Sequence, residues 1–134
     1  MNSPSSRSWI RLDTVLAIHE AQIDEHGGRL GVRDLGLLKS ALARPRNAEA
    51  YGDTAGEVPD LAAMHAIAVV RNHPFVDGNK RVGFVLLEVF LELNGYELVA
   101  EDAECAAVMW SLASHDMKDE DFFAWVRDHA RAKP

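Results

Sequence analysis

The stretch from Val82 to Leu93 constrains this chain more than any other. It carries Val82, Phe84, Val85, Leu86, Leu87, Val89, Phe90, Leu91 and Leu93, so a helix wound from it is apolar on most sides. Such a helix has to be covered by other elements, which points to a central, buried position. Glu88 and Glu92 interrupt the run, so it does not read as a membrane span. The helix is expected to open near Asn79 and to stop at Asn94-Gly95, a plain C-terminal signal.

The covering elements are legible as further helices. Leu12, Val15, Leu16, His19 and Ile23 recur at three- and four-residue steps, with Asp13 as the expected N-cap and Gly27-Gly28 as the stop. Asp34 reads as a second N-cap ahead of Leu35, Leu38 and Leu42, and Arg44-Pro45 as the end of that helix. Residues 46–58 carry no pattern and read as a loop, a candidate lid or docking flap. Pro59 suits the first turn of a third helix, with Leu61, Met64, His65, Ala68 and Val69 as its buried stripe and an end near Asn72. Tyr96–Val99 reads as an extended link, followed by helices over about Asp102–Ala113 and Asp119–Arg131. No pair of alternating strands is apparent, so the expected fold is all-α, about six helices around a central buried one.

At 134 residues the chain fits one domain. Residues 1–9 are expected to be a flexible leader and 10–134 the helical domain. Fourteen Lys and Arg against 21 Asp and Glu give a net charge of −7, which disfavours direct nucleic-acid binding. Residues 97–128 hold nine acids and two bases and read as a solvated face. The single cysteine, Cys105, excludes an intrachain disulfide or a thiolate metal cluster. The N-terminus has no apolar core of a signal peptide, so a cytoplasmic location away from membranes is the expectation.

The chemistry concentrates in Arg71-Asn72-His73-Pro74-Phe75-Val76-Asp77-Gly78-Asn79-Lys80-Arg81, between the third and fourth helices. The first N–H groups of a helix lack internal partners, and the macrodipole adds about half a positive charge there. Lys80 and Arg81 place full positive charges in that turn, where they are unfavourable unless an anion such as a phosphate sits beside them. Gly78 lets a ligand approach the backbone. His73 has the residue type to take a proton from an attacking hydroxyl, and Asp77 to hold a magnesium ion or orient that hydroxyl. Phe75 reads as the anchor of the loop. Asp77 and Asn79 can also be read as simple N-caps.

The run His73-Pro74-Phe75-Val76-Asp77-Gly78-Asn79-Lys80-Arg81 resembles the signature of the Fic/Doc superfamily, specifically its Doc (death-on-curing) branch. The Fic branch carries glycine where Lys80 stands and a second arginine where Phe84 stands; both departures match Doc proteins. Gly27–Leu42 is similar to the segment that follows the first helix of Doc-like chains. The resemblance implies a compact all-helical toxin of a toxin–antitoxin pair. Its activity would be that of a protein kinase, moving the γ-phosphate of ATP, with Mg2+, to a threonine of elongation factor Tu and arresting translation. It implies His73 as base, Asp77 as the magnesium- or hydroxyl-positioning carboxylate, and Gly78, Asn79, Lys80 and Arg81 as phosphate binders. A Phd-type antitoxin would seat its C-terminal segment in a groove, and any contact with nucleic acid would pass through that partner. No internal inhibitory Ser/Thr-x-x-x-Glu-Gly/Asn motif follows Ser40, Thr54 or Ser111, consistent with inhibition by a separate chain.

Two other readings stand beside this one: AMP transfer as in Fic enzymes, and a catalytically silent antitoxin-binding or corepressor module. The remaining features read as structural. His19 and His26 belong to no His-Glu-x-x-His pattern, and His65 falls on an apolar stripe. Gly27-Gly28 with Gly31 lacks the Lys-Ser/Thr of a phosphate loop and reads as cap and turn. Trp110 and Trp125 read as core.

Overall fold

The computed structural model describes residues 7–51 and 57–134, and shows six helices with one small strand pair. The helices are α1 (Leu12–His26), α2 (Leu35–Ala50), α3 (Val58–Asn72), α4 (Asn79–Leu93), α5 (Asp102–Ala113) and α6 (Asp119–His129). The strands β1 (Tyr96–Leu98) and β2 (Ala130–Ala132) pair antiparallel, Glu97 opposite Arg131. The all-α class is as the periodicity predicts. Among the described residues no helix is long and apolar enough to cross a membrane.

The central element is α3, not α4 with its larger apolar side chains. Every residue from Leu61 to Val70 is buried, whereas Phe84, Val85 and Val89 of α4 are only half covered and Leu93 is exposed. Side-chain size explains the difference. Ala62, Ala63, Ala66 and Ala68 make α3 thin, so neighbouring helices can close on it from several sides. Contact with α4 is the closest of these: a Cβ added to Gly83 would lie 3.3 Å from the Ala66 carbonyl oxygen. Helix α6 runs antiparallel to α3 and is pinned at both ends. Asp60 pairs with Arg127 at 2.7 Å, and Arg71 reaches both Asp119 and the last-turn carbonyl of Leu112 at 2.8 Å. Arg71 thereby ties α3 to the α5–α6 corner.

Several local expectations hold. Gly27, at φ 81, caps α1, Asp34 accepts the Leu37 N–H at the start of α2, and Pro59 lies in the first turn of α3. Others are corrected. Asp13 lies inside the first turn of α1 behind Arg11, and its carboxylate accepts two hydrogen bonds from that guanidinium instead of capping the helix. Helix α2 continues through Pro45 to Ala50. The hydrogen bond that proline forgoes is offset because Pro45, Ala48 and Glu49 are buried, with Glu49 receiving Arg7 at 2.9 Å. The expected loop therefore loses residues 46–50 to α2 and Val58 to α3. Of what is left of the candidate lid, residues 52–56 lie outside the described residues, as do 1–6 of the expected leader. Residues 7–9 of that leader are docked: Ser8 and Asn94 exchange two hydrogen bonds of 2.9 Å, and Trp9 packs on Phe90. Helix α6 ends at His129, two residues short of expectation, because Ala130–Ala132 pair with the Tyr96 link as β2.

His65 is the packed histidine its stripe predicts. It is 2% exposed, its ring lies 4.6 Å from that of Phe90, and its Nδ1–H donates to the Leu61 carbonyl. Burial pushes its pKa from 6.5 down to about 4. The unfolded chain thus binds a proton near pH 6.5 that the folded chain refuses until about pH 4. This contribution to stability is complete above pH 6.5 and is lost as pH falls toward 4, a loss of about 3 kcal/mol at ~1.4 kcal/mol per pH unit. His65→Phe keeps a ring against Phe90 and removes the proton. Urea titrations at pH 7, 5.5 and 4 should show the acid loss of stability shrinking by about that amount in the variant.

Candidate active site

The loop between α3 and α4 is built around Phe75. Its side chain is fully buried, as expected of an anchor, and lies under the stacked ring of His19, 4.1 Å away with planes 17° apart. Asn79 holds the same residue from the other side. Its Oδ1 accepts the Phe75 N–H and its Nδ2 donates to the Phe75 carbonyl, both at 3.0 Å. With Asn79 4% exposed, the clamp replaces backbone partners that a buried turn would otherwise lack. The side-chain amide of Asn79 is thus committed to Phe75, and its backbone N–H is left at the open start of α4. Neither Asp77 nor Asn79 caps α4; the N-cap is Gly78 at φ 79, a left-handed position suited to glycine.

The segment between α1 and α2 forms the second wall of this frame. Pro74 O accepts the N–H groups of Arg33 and Asp34 at 2.7 and 3.0 Å, and Gly31 O accepts that of Val76 at 3.0 Å. The Arg33 guanidinium donates to the carbonyls of His73 and Asn72 at 2.7 and 3.0 Å. These bonds satisfy the end of α3 and hold His73 at φ 51, ψ 54, a left-handed backbone that costs a non-glycine residue about 1–2 kcal/mol. His19 joins the same frame, its Nε2 accepting the Gly31 N–H at 3.2 Å. That bond makes the ring neutral with its proton on Nδ1, a buried atom without a partner among the described residues. Burial lowers the pKa of His19, against an opposing pull from Asp77. Among these supports, His19 was visible as a member of the first apolar stripe. Arg33 was not, because nothing local marks a surface arginine that caps a distant helix end.

On this frame the six residues singled out by the sequence come together. His73, Asp77, Gly78, Asn79, Lys80 and Arg81 line one cavity of about 230 Å³, closed by Val70 and Ala113. The His73 imidazole is exposed and has no hydrogen-bond partner among the described residues. No side chain caps α4, and its first backbone bond runs from Val82 to Gly78, so the N–H groups of residues 79–81 have no helical partners. Arg81 makes one long contact, 3.5 Å, to the Gly27 carbonyl. Lys80 lies with its Nζ 4.6 Å from the ring centroid of Trp110, which is 64% exposed, so the expectation that Trp110 is core is also corrected. Trp125 is half-buried and donates to Glu104 at 2.8 Å.

Asp77 is held by backbone. The N–H groups of Arg29 and Gly78 reach its two oxygens at 3.2 and 2.9 Å, and these bonds, with Arg81 and Arg29 nearby, lower its pKa. A magnesium ion fits this donor set only as a shared ion. Among the described residues no three acids, histidines or cysteines are placed to hold a metal ion together, while Asp77 keeps lone pairs free on both oxygens. One carboxylate plus substrate phosphates is a common way of holding magnesium.

Residues 9–91 match the Fic/DOC family, and the chain belongs to that family. It is 46% identical to Toxin Doc of Mycolicibacterium smegmatis over 76 residues, 56% of this chain and 58% of that protein. It is 29% identical to the protein kinase doc of Escherichia phage P1 over 86 residues, 64% of this chain and 68% of that protein. The matched part therefore spans somewhat more than half of the mycobacterial relative.

Two substitutions test the frame. Asn79→Ala leaves the buried N–H and carbonyl of Phe75 without partners and should cost about 2–4 kcal/mol in urea unfolding; Asn79→Asp, which sets a second acceptor against the Phe75 carbonyl, should not restore the loss at neutral pH. At Gly28, φ 114, an added Cβ would meet Asp77 Oδ2 at 2.7 Å. Gly28→Ala should therefore destabilise by about 1 kcal/mol or more and shift the Asp77 carboxyl resonance in NMR spectra.

Proposed function

We propose that this chain is a Doc-type toxin: a protein kinase that transfers the γ-phosphate of ATP to a threonine hydroxyl of a translation factor such as elongation factor Tu. The observation that carries the reading is the shared cavity, lined by an imidazole without a hydrogen-bond partner among the described residues and by the uncapped N-terminus of α4 with Lys80 and Arg81. The similarity to the phage P1 protein kinase supports phosphate transfer over other chemistries of the family.

In this reading the ATP phosphates lie against the N–H groups of residues 79–81, with Lys80 and Arg81 neutralising their charge. His73 accepts the proton of the threonine Oγ as that oxygen bonds to the γ-phosphorus. The bond from the γ-phosphorus to the β-bridging oxygen breaks, and ADP leaves. Magnesium, when bound, draws charge from the phosphate oxygens, and Asp77 is the residue that would hold it. The Arg33 hydrogen bonds fix the backbone that aims His73 at the hydroxyl.

The partner proposed is a Phd-type antitoxin. An apolar groove of about 550 Å³ runs between α1, α4 and α5, with Phe84, Val85, Met109 and Trp110 along it. It meets the phosphate cavity at Lys80 and Arg81, so a segment seated there would lie at the entrance for ATP.

Purified chain, Mg2+ and a bacterial lysate containing elongation factor Tu should be incubated with ATP labelled at either the γ- or the α-phosphate. The expected result is protein label from the γ position alone, reduced roughly 100- to 10,000-fold by His73→Ala. Label from the α position would replace the kinase with AMP transfer, and label from neither would favour a silent antitoxin-binding module.

A further inference from the structure

Trp110 is the largest side chain in an exposed position on α5, and the group it touches is the ammonium of Lys80. Lys80 itself borders three spaces: the phosphate cavity, the apolar groove, and a recess of about 220 Å³ shared with Trp110, Ala113 and Ser114. The indole face thus holds the lysine head at the point where these spaces meet. A lysine on the open surface samples many rotamers, and a phosphate that captures it must first confine it. An ammonium already resting on an indole has lost much of that freedom. The contact is weaker than a charge-assisted bond to phosphate, so it confines the head without withholding it.

We infer that Trp110 is a positioning residue that keeps the Lys80 ammonium at the edge of the phosphate cavity before any anion arrives. The inference rests on the phosphate-transfer reading for its purpose, and on the Lys80–Trp110 contact for its substance. Loss of the indole should weaken phosphate capture and leave the chemical step alone, because Trp110 does not border the phosphate cavity.

The contact is tested first without ligand. In the full chain the ε-methylene protons of Lys80 should show an upfield ring-current shift, reduced in Trp110→Phe and absent in Trp110→Leu. Calorimetry with inorganic tripolyphosphate should then show Kd two- to fivefold higher in Trp110→Leu, equivalent to about 0.5–1 kcal/mol, with Trp110→Phe between. The KM for ATP should rise by the same factor at unchanged kcat, and Trp110→Leu should add nothing in a Lys80→Met background. An ordinary Lys80 shift in the wild type would overturn the inference. So would an unchanged or lower Kd in Trp110→Leu, or an equal loss in the Lys80→Met background. If the wild type shows these binding ratios but transfers no phosphate, the positioning role stands and the kinase reading alone falls. Failure of the wild type to bind tripolyphosphate would overturn both.

Discussion

The two hydrogen bonds between Asn79 and the backbone of Phe75 are the constraint on which the site depends. A tight turn between two helices has to bury an apolar anchor while leaving its polar neighbours in the open. Burying Phe75 also buries its N–H and carbonyl, and each would be costly without a partner. One amide serves both groups, and it does so from the first residue of α4, so the start of that helix is registered on the turn itself. The N–H groups of residues 79–81 and the side chains of Lys80 and Arg81 then fall around one cavity.

The electrostatics follow from that registration. Two cations in the first turn of α4 work against the helix macrodipole; among the described residues no side chain caps the helix, and the partners of the two cations are weak, the Trp110 ring for Lys80 and the nearby Asp77 carboxylate for Arg81. The same residues arranged for stability alone would place an acid there, as α6 does with Asp119, Glu120 and Asp121 in its first turn. The contrast between the two helices is what the phosphate-binding role proposed for the start of α4 would require.

The helices and the site were legible in the sequence for different reasons. Periodicity marks a helix wherever one face is apolar, so α1, α5 and the body of α6 emerged almost as drawn. It does not rank helices by burial: α4 is richer in large apolar residues, yet the alanines of α3 let neighbours close around it. Pro45 misled because a local rule met a tertiary exception, the burial of Pro45, Ala48 and Glu49 with Glu49 in a partly buried salt bridge to Arg7, 42 residues away. Strands of three residues, paired across more than thirty positions, leave no alternation to detect. The motif residues were visible because they are contiguous; Arg33 and Trp110, which act on them from elsewhere, became visible only in three dimensions.

That division has a physical sense. Asn79, Phe75, His19 and Arg33 are tied by buried or bidentate contacts, and each fixes backbone. His73, Lys80 and Arg81 carry the reactive and charged ends, and none is held by a buried hydrogen bond. In the reaction proposed above, the group that accepts a proton and those that follow a phosphate would have to keep their polar atoms available, while the chain beneath them stays still. The left-handed backbone of His73 shows both demands at one residue: its carbonyl is bound by Arg33, its conformation is strained, and its ring is left open. Left to its local preferences the residue would relax out of that conformation; the Arg33 bonds keep it there with the ring free to meet whatever enters the cavity.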